Sequence, residues 1–276
     1  MEIHPALDAR SYVRMCSNEL RSAFLLSDLF QPGKLLLRYW ETDRAVIGGA
    51  IPTRGKLTLG TARELASGYF CERRELGVVN VGEEGVVEVD GVRFSLGKLD
   101  CLYVGRGARR VVFSSKRASK PACFYLLSYP AHAAYPTTLA RHDDIKGASI
   151  GSSATSNGRT IYKFIHADGI KSCQLVMGLT LLEPGSIWNT MPPHTHTRRS
   201  EVYFYFDVPK EAAVFHFLGR PDETRHLVVR DREVALSPPW SIHSGAGTAN
   251  YGFVWGMGGE NQDFADMDPA PLAQLR

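Results

Sequence analysis

The sequence predicts an all-β fold with one short helix near its start. Three observations carry that expectation. Short runs rich in Val, Ile, Phe and Tyr recur along most of the chain, separated by Gly, Pro or polar turns. One such pair, GVVEV and VRFSL, is joined by Asp90-Gly91, a two-residue hairpin turn. The same texture returns after a stretch of Pro, Gly, Ser and Thr over about 129–160, so two β-rich halves flank a connection.

Taken in order, the helix comes first. Asn18-Glu19-Leu20 opens a stretch through Leu29 with apolar residues at Leu20, Phe24, Leu25 and Leu29, which is helical spacing behind a cap. Strand texture starts near Lys34 with KLLLRYW, RAVIGGAI, GVVNV, CLYVG, RRVVFSS and ACFYLLSY. It resumes after the connection with TIYKFI, CQLVMGLTLL, EVYFYFDV, AAVFHFLG, HLVVR, REVALS and YGFVWGM. Regularly spaced short strands argue for a sandwich or barrel. The expected organisation is an arm and helix over 1–30, a first β domain with its connection over 31–150, and a second β domain over 151–276.

Composition excludes several function classes. With 276 residues, 44% hydrophobic and 22% charged, the chain has length and apolar content for a proper core. A net charge of +3 is too mild for a nucleic-acid surface but compatible with a small anionic ligand. No apolar run approaches the roughly 18 residues of a membrane helix. The start, MEIHPALDAR, lacks the basic and apolar regions of a secretory signal. Five scattered cysteines without a CxxC argue against a disulfide framework. A cytoplasmic protein that binds neither nucleic acid nor membrane is expected.

The densest chemical signal is Pro192-Pro193-His194-Thr195-His196-Thr197-Arg198-Arg199-Ser200-Glu201. On a strand, residues i and i+2 face the same way, so His194 and His196 would project into one space. A short turn through 197–200 would bring Glu201 beside them, and SPPWSIH supplies a third imidazole at His243. Three imidazoles and a carboxylate make a borderline-soft divalent-metal site. His-x-His-x4-Glu followed some forty residues later by Pro-x4-His resembles the metal signature of cupin barrels, double-stranded β-helices. In the first half, Glu75-x6-Gly82 and Gly105-x-Gly107-x2-Arg110 match fragments of the same template, with Arg110 where a metal His would stand and no His-x-His before Glu75. The first barrel is therefore expected to be degenerate and metal-free.

Longer segments resemble one enzyme family, the 5-dehydro-4-deoxy-D-glucuronate isomerases, also called 4-deoxy-L-threo-5-hexosulose-uronate ketol-isomerases. They include YFCERRELGVVNVG, LYVGRGARRVVF and PAHAAYPT in the first half. In the second half they include ATSNGRTI, PGSIWNTMPPHTHTRRSEVYFYFDV, FHFLGRPDETRH, SPPWSIHSGAGT and FVWGMGGENQ, ending in DMD. The resemblance implies a two-cupin subunit, one zinc per chain in the second cupin, a homo-hexamer, and a role in breaking down pectin-derived uronates. It carries the zinc ligands onto His194, His196, Glu201 and His243.

The implied reaction moves a carbonyl from C1 to C2 of a keto-uronate through an enediol, without redox change, so a Lewis acid suffices. Four protein ligands ordinarily describe a closed site, so the coordination must expand or Glu201 must loosen. Glu201 is then the candidate base. Arg199 is a candidate fork for the substrate carboxylate. Tyr203 and Tyr205 share the period-2 face of Glu201 and are candidate donors to substrate oxygens, and Gln174 is a candidate cavity residue. His216 and His226 sit in β runs and read as structural, while His4, His132, His142 and His166 lack ligand spacing. Rival readings are the 5-deoxy-glucuronate isomerase of inositol breakdown, an Fe(II) cupin dioxygenase, and a non-enzymatic sugar-binding cupin.

Overall fold

Runs of β-branched and aromatic residues broken by Gly, Asp and Pro can bury their apolar faces by pairing strands, and most of this chain does so. The computed structural model describes residues 1–276. Its contacts divide the chain into two units. One is Met1–His4, Asp28–Lys146 and Phe164–Met177; the other is Pro5–Ser27, Gly147–Lys163 and Gly178–Arg276.

The first set of sheets has seven and four strands. The larger runs Glu2–His4, Leu35–Trp40, Ala45–Ala50, Phe124–Pro130, Arg74–Asn80, Cys101–Val104, Thr138–Ala140, and the smaller runs Leu57–Thr58, Val111–Ser115, Gly85–Val89, Val92–Leu96. The core of this unit includes Val46, Leu76, Val78, Phe113, Phe124 and Leu126. The expected hairpin is present: Val89 faces Val92, and Asp90 and Gly91 take φ of 50° and 88°, as the tight turn requires.

The second set again has seven and four strands. The larger runs Ala148–Ile150, Arg159–Ile165, Val176–Leu182, Gly252–Gly259, Arg199–Phe206, Val234–Ser237, Leu25–Leu26, and the smaller runs Trp188–Asn189, Ser244–Gly247, Val214–Arg220, Glu223–Val229. Set aside the outermost strands of each large sheet, and both sets repeat one strand order in the large sheet and one in the small. The second set adds a short pair, His194–Thr195 with Asp268–Pro269, that has no counterpart in the first.

The repeat allows a register comparison. Glu201 lies opposite Ser237, the last residue of its strand, and Leu76 lies opposite Val104, also a strand end. Leu76, not Glu75, therefore stands where Glu201 stands. The Glu75 of the sequence motif instead turns its buried carboxylate to the backbone N–H groups of Cys173, Gln174 and Leu175 at 2.6, 2.8 and 2.7 Å, and accepts from Tyr103 Oη at 2.8 Å. Arg110 immediately precedes its strand as His243 precedes Ser244–Gly247, and it pairs with Glu88 at 2.7 Å.

The helix is shorter than the periodicity suggests. It spans Ser17–Phe24 and buries Leu20 and Phe24, with the Glu19 carboxylate accepting the Cys16 N–H at 2.7 Å as the return half of a capping box. Leu25 and Leu26 leave the helix and pair with Ala235 and Val234. Strand pairing of two buried leucines outcompetes another helical turn, so tertiary context overrides local spacing there. The Pro- and Gly-rich segment 129–160 also holds two short edge strands, Thr138–Ala140 and Ala148–Ile150.

Candidate metal centre

Three separate pieces of chain deliver the four predicted donors. His194 belongs to the short strand paired with Asp268–Pro269, and His196 follows it. The turn closes when the Arg199 N–H donates to His196 O at 3.1 Å, which starts the strand that carries Glu201. His243 ends a loop pinned from both sides. Ser241 N–H donates to Pro238 O at 2.9 Å, and Ser241 Oγ accepts from Gly219 N–H at 2.9 Å.

The four side chains converge. His194 Nε2 lies 3.1 Å from His196 Nε2 and 2.9 Å from His243 Nε2. Glu201 Oε2 lies 3.2 Å from His196 Nε2 and 2.8 Å from His243 Nε2. All four atoms fall within 4.8 Å of one another, and the residues are buried or nearly so. A tetrahedral zinc with bonds of about 2.0–2.1 Å would space its donors by about 3.3 Å, close to these separations.

The donor chemistry fits a cation. His196 Nδ1 lies 2.5 Å from Asp266 O, and a carbonyl can only accept, so Nδ1 carries a proton and Nε2 is the nitrogen turned to the cluster. Arg199 Nη2 donates to the same oxygen at 2.8 Å. Its 3.3 Å approach to Nδ1 brings two donors together on one acceptor and is not a bond between them. Glu201 Oε2 is buried and accepts no hydrogen bond. A buried carboxylate oxygen this close to imidazole Nε2 atoms is unfavourable unless a proton or a metal cation lies among them. These four groups could hold a divalent metal.

Electrostatics shift two of the four groups. Burial alone would push the Glu201 carboxyl up, but the His243 and His196 imidazoles outweigh it and hold it well below its ordinary value. Burial, assisted by His243, holds His194 down to about 3, so it is neutral at physiological pH.

Buried polar side chains pack beside this cluster. Tyr203 Oη pairs with Thr190 Oγ1 at 3.2 Å, Tyr205 Oη with His216 Nδ1 at 2.7 Å, and Asn189 Nδ2 donates to Tyr251 Oη at 2.5 Å. Burial raises both Tyr203 and Tyr205 well above the usual phenol value, so both keep their protons. Gly245 keeps this wall clear: a Cβ there would come within 2.8 Å of Asn189 Nδ2 and 3.2 Å of the Tyr205 and Tyr251 hydroxyls.

Other singled-out residues lie elsewhere or are engaged. Arg199 is buried, and its guanidinium donates to the carbonyls of Asp263 and Asp266, so it braces the ligand loop rather than presenting an open fork. Gln174 donates to Pro130 O at 2.5 Å in the first unit. His216 is fully buried against Tyr205 and Ser237 rather than among the ligands, and His226 is exposed against Phe215. The sequence reading missed the roles of Arg198, Asp266 and Asp268. Arg198 Nε donates to both Asp266 carboxylate oxygens at 2.8 and 2.9 Å, and Nη2 to Asp268 Oδ1 at 2.8 Å. The signal was the period-2 acid pair of DMD, which places both carboxylates on one side of an extended segment.

The chain is 51% identical over 276 residues to the 4-deoxy-L-threo-5-hexosulose-uronate ketol-isomerase of Halalkalibacterium halodurans, covering all of both chains. It is 47% identical over 276 residues to the protein of the same name from Caldicellulosiruptor bescii, again over the full length of both. Among solved structures, an IolB-like protein from Salmonella typhimurium superposes with a TM-score of 0.72 at 14% identity, covering 87% of this chain and 94% of that one. Oxalate decarboxylase of Lactobacillus farciminis superposes with a TM-score of 0.58 at 9% identity, covering 88% and 89%. At such identities these two likenesses concern the fold alone. The KduI/IolB family profile matches residues 37–271, and the chain belongs to that family.

Proposed function

We propose that the chain is a metal-dependent ketol-isomerase that converts 5-dehydro-4-deoxy-D-glucuronate to 3-deoxy-D-glycero-2,5-hexodiulosonate in the breakdown of pectin and related uronates. The observation that carries the reading is the full-length identity to ketol-isomerases in a chain whose His194, His196, Glu201 and His243 converge. The proposed cofactor is one zinc ion per chain on those four residues, and the proposed architecture is two cupin barrels. The repeated strand order supports two barrels. Leu76 and Arg110 at the positions of Glu201 and His243 support a first barrel without metal. The assembly proposed is a homo-hexamer in the cytoplasm.

The chemical difficulty is the low acidity of the C2–H bond and the negative charge that develops on oxygen as the proton leaves. When bound, a divalent cation supplies Lewis acidity that stabilises that charge. The chain's own contribution is orientation and proton handling. His196 is fixed in one tautomer by Asp266 O. Tyr203, which keeps its proton and packs beside His243, is the proposed donor to a substrate oxygen, whereas the Tyr205 hydroxyl is engaged by His216. Glu201 Oε2, whose carboxyl is held well below its ordinary value, is the candidate that takes the proton from C2 and returns it to C1.

The test is metal analysis of the purified protein with a coupled assay on the unsaturated-uronate breakdown product. One zinc per chain and turnover that disappears on chelation and returns with zinc are expected. Stoichiometric iron with oxygen consumption would favour a dioxygenase instead. The KduI/IolB family name leaves one second reading, isomerisation of 5-deoxy-glucuronate, and the same assay with that sugar separates the two.

A further inference from the structure

The first unit holds a second concentration of charge, remote in function from the histidine cluster. A cavity of about 250 Å³ is lined by Tyr39, Arg44, Glu64, Ser67, Arg73 and Arg74, among others. Three arginines therefore line one small space with a single acidic residue. That carboxylate is already engaged, because Glu64 Oε2 pairs with the Met1 ammonium at 3.2 Å.

Arg74 is the floor. It is only 6% exposed, and every acceptor it meets is neutral. Its Nε donates to Ser128 Oγ at 3.1 Å, and its Nη2 donates to Arg44 O at 2.6 Å and Ser128 O at 2.8 Å. Nη1 is left without a protein acceptor. The ionisable neighbours that bear on Arg74 are Tyr39, Cys71, Tyr129 and Arg44, with no carboxylate among them. A desolvated cation held only by neutral dipoles keeps its full charge and attracts an anion into any space beside it.

The rim adds to that charge. Arg73 commits Nη2 to the carbonyls of Leu65 and Ala66 at 2.9 and 2.5 Å, leaving Nε and Nη1 uncommitted. Arg44 is exposed and lines the cavity. Its backbone is unusual: Asp43 and Arg44 are consecutive non-glycine residues with φ of 49° and 53°. Left-handed conformations of this kind cost energy and persist where the surroundings demand them, often at ligand clamps. Here the strained turn aims the Arg44 carbonyl at Arg74 and so holds Arg44 over the cavity.

We propose that this cavity is an oxyanion site, which receives a phosphate or carboxylate group of a small molecule. Guanidinium forks match the planar, bidentate geometry of such groups, and the Tyr39 hydroxyl adds an uncharged donor, while Ser67 Oγ pairs with Thr61 Oγ1 at 2.7 Å. The volume suits inorganic phosphate or the carboxylate end of a monosaccharide acid and is too small for a nucleotide. The site stands independently of the proposed isomerase activity.

The experiment is calorimetric titration of the full-length protein at low ionic strength, with inorganic phosphate in one arm and D-galacturonate in the other. Arg44→Ala and Arg73→Ala are titrated beside the parent, and all melting temperatures are measured without ligand. One saturable site per chain is expected for at least one anion. Each variant should weaken it at least tenfold while melting with the parent. Saturation by phosphate alone assigns the site to phosphoryl or free phosphate, and saturation by galacturonate alone assigns it to a sugar carboxylate. Absence of saturation by either anion at millimolar concentration would overturn the proposal. So would affinities unchanged in both variants, because binding would then lie elsewhere.

Discussion

His196 Nδ1 donates to the carbonyl oxygen of Asp266 across 70 residues of chain, at 2.5 Å. That bond fixes which nitrogen of His196 faces the other ligands. It depends in turn on a strap: Arg198 grips the side chains of Asp266 and Asp268, and Asn261 Nδ2 donates to Asp266 Oδ2 at 2.6 Å. The strap's far end pairs as a strand with His194, so two ligands are positioned by one segment.

Loosening the strap should therefore loosen the metal. Arg198→Met removes the grip while leaving all four donors in place, and metal affinity should fall by about 10–100-fold, as for other outer partners of metal-ligating histidines. Arg198→Lys keeps the charge but loses the fork, so an intermediate loss is expected. Competition with a chromophoric chelator measures the affinity directly. An affinity unchanged in Arg198→Met would show that the strap does not orient His196.

Acid should destabilise the fold through His216. Burial holds this imidazole down to about 3, whereas in the unfolded chain it titrates near 6.5. Between those values the unfolded state binds the extra proton, so stability rises with pH across that window and is lost as pH falls through it. By pH 5 the loss from this one residue should approach about 2 kcal/mol, at about 1.4 kcal/mol per pH unit. Urea unfolding of metal-free protein at pH 7 and pH 5 measures it. His216→Asn, which cannot take a proton, should flatten the slope even though it lowers stability at pH 7.

Glu75 should behave as a structural anchor. Its carboxylate gathers three backbone N–H groups and the Tyr103 hydroxyl in a fully buried position. Glu75→Ala should cost about 3–5 kcal/mol because those donors lose a charged acceptor. Glu75→Gln should cost less, since one amide oxygen still accepts. Metal content should be unchanged in both, and a loss of metal from Glu75→Gln in folded protein would contradict this assignment.

The legible parts of the sequence were those with short-range signals. The Asp90-Gly91 turn, the strand texture and the His194/His196 pair each express a local rule. The convergence of the four candidate donors was legible because their spacing resembles a known pattern. What stayed hidden depends on long-range pairing. The helix was extended past Phe24 because nothing local reveals that Leu25 and Leu26 pair with residues more than 200 positions away. Glu75 was matched to a ligand motif because sequence spacing carries no face information, and one residue of register turns a strand's side chain to the other side. Arg199 read as a substrate fork, but its acceptors are backbone carbonyls of a segment that composition cannot place.

Removing a ligand tests the centre and the proposed reaction together. His243 is buried and supplies one of four donors, so His243→Ala should lower metal content and turnover in parallel. A parallel loss of folding would mimic this result, so the melting temperature of the variant must be compared with that of metal-stripped parent protein. If the two melt together, the defect is loss of the cation; if the variant melts much lower, the substitution has damaged the fold. The isotope arm is independent of mutation. In deuterated water the parent should place deuterium at C1 of the product if the proton taken from C2 exchanges before it returns, and should transfer it unexchanged if one shielded base carries it across. Turnover in a preparation verified to be metal-free would refute the Lewis-acid reading under either isotopic outcome. The C2–H bond is then being broken without the charge stabilisation that the four converging side chains were proposed to organise.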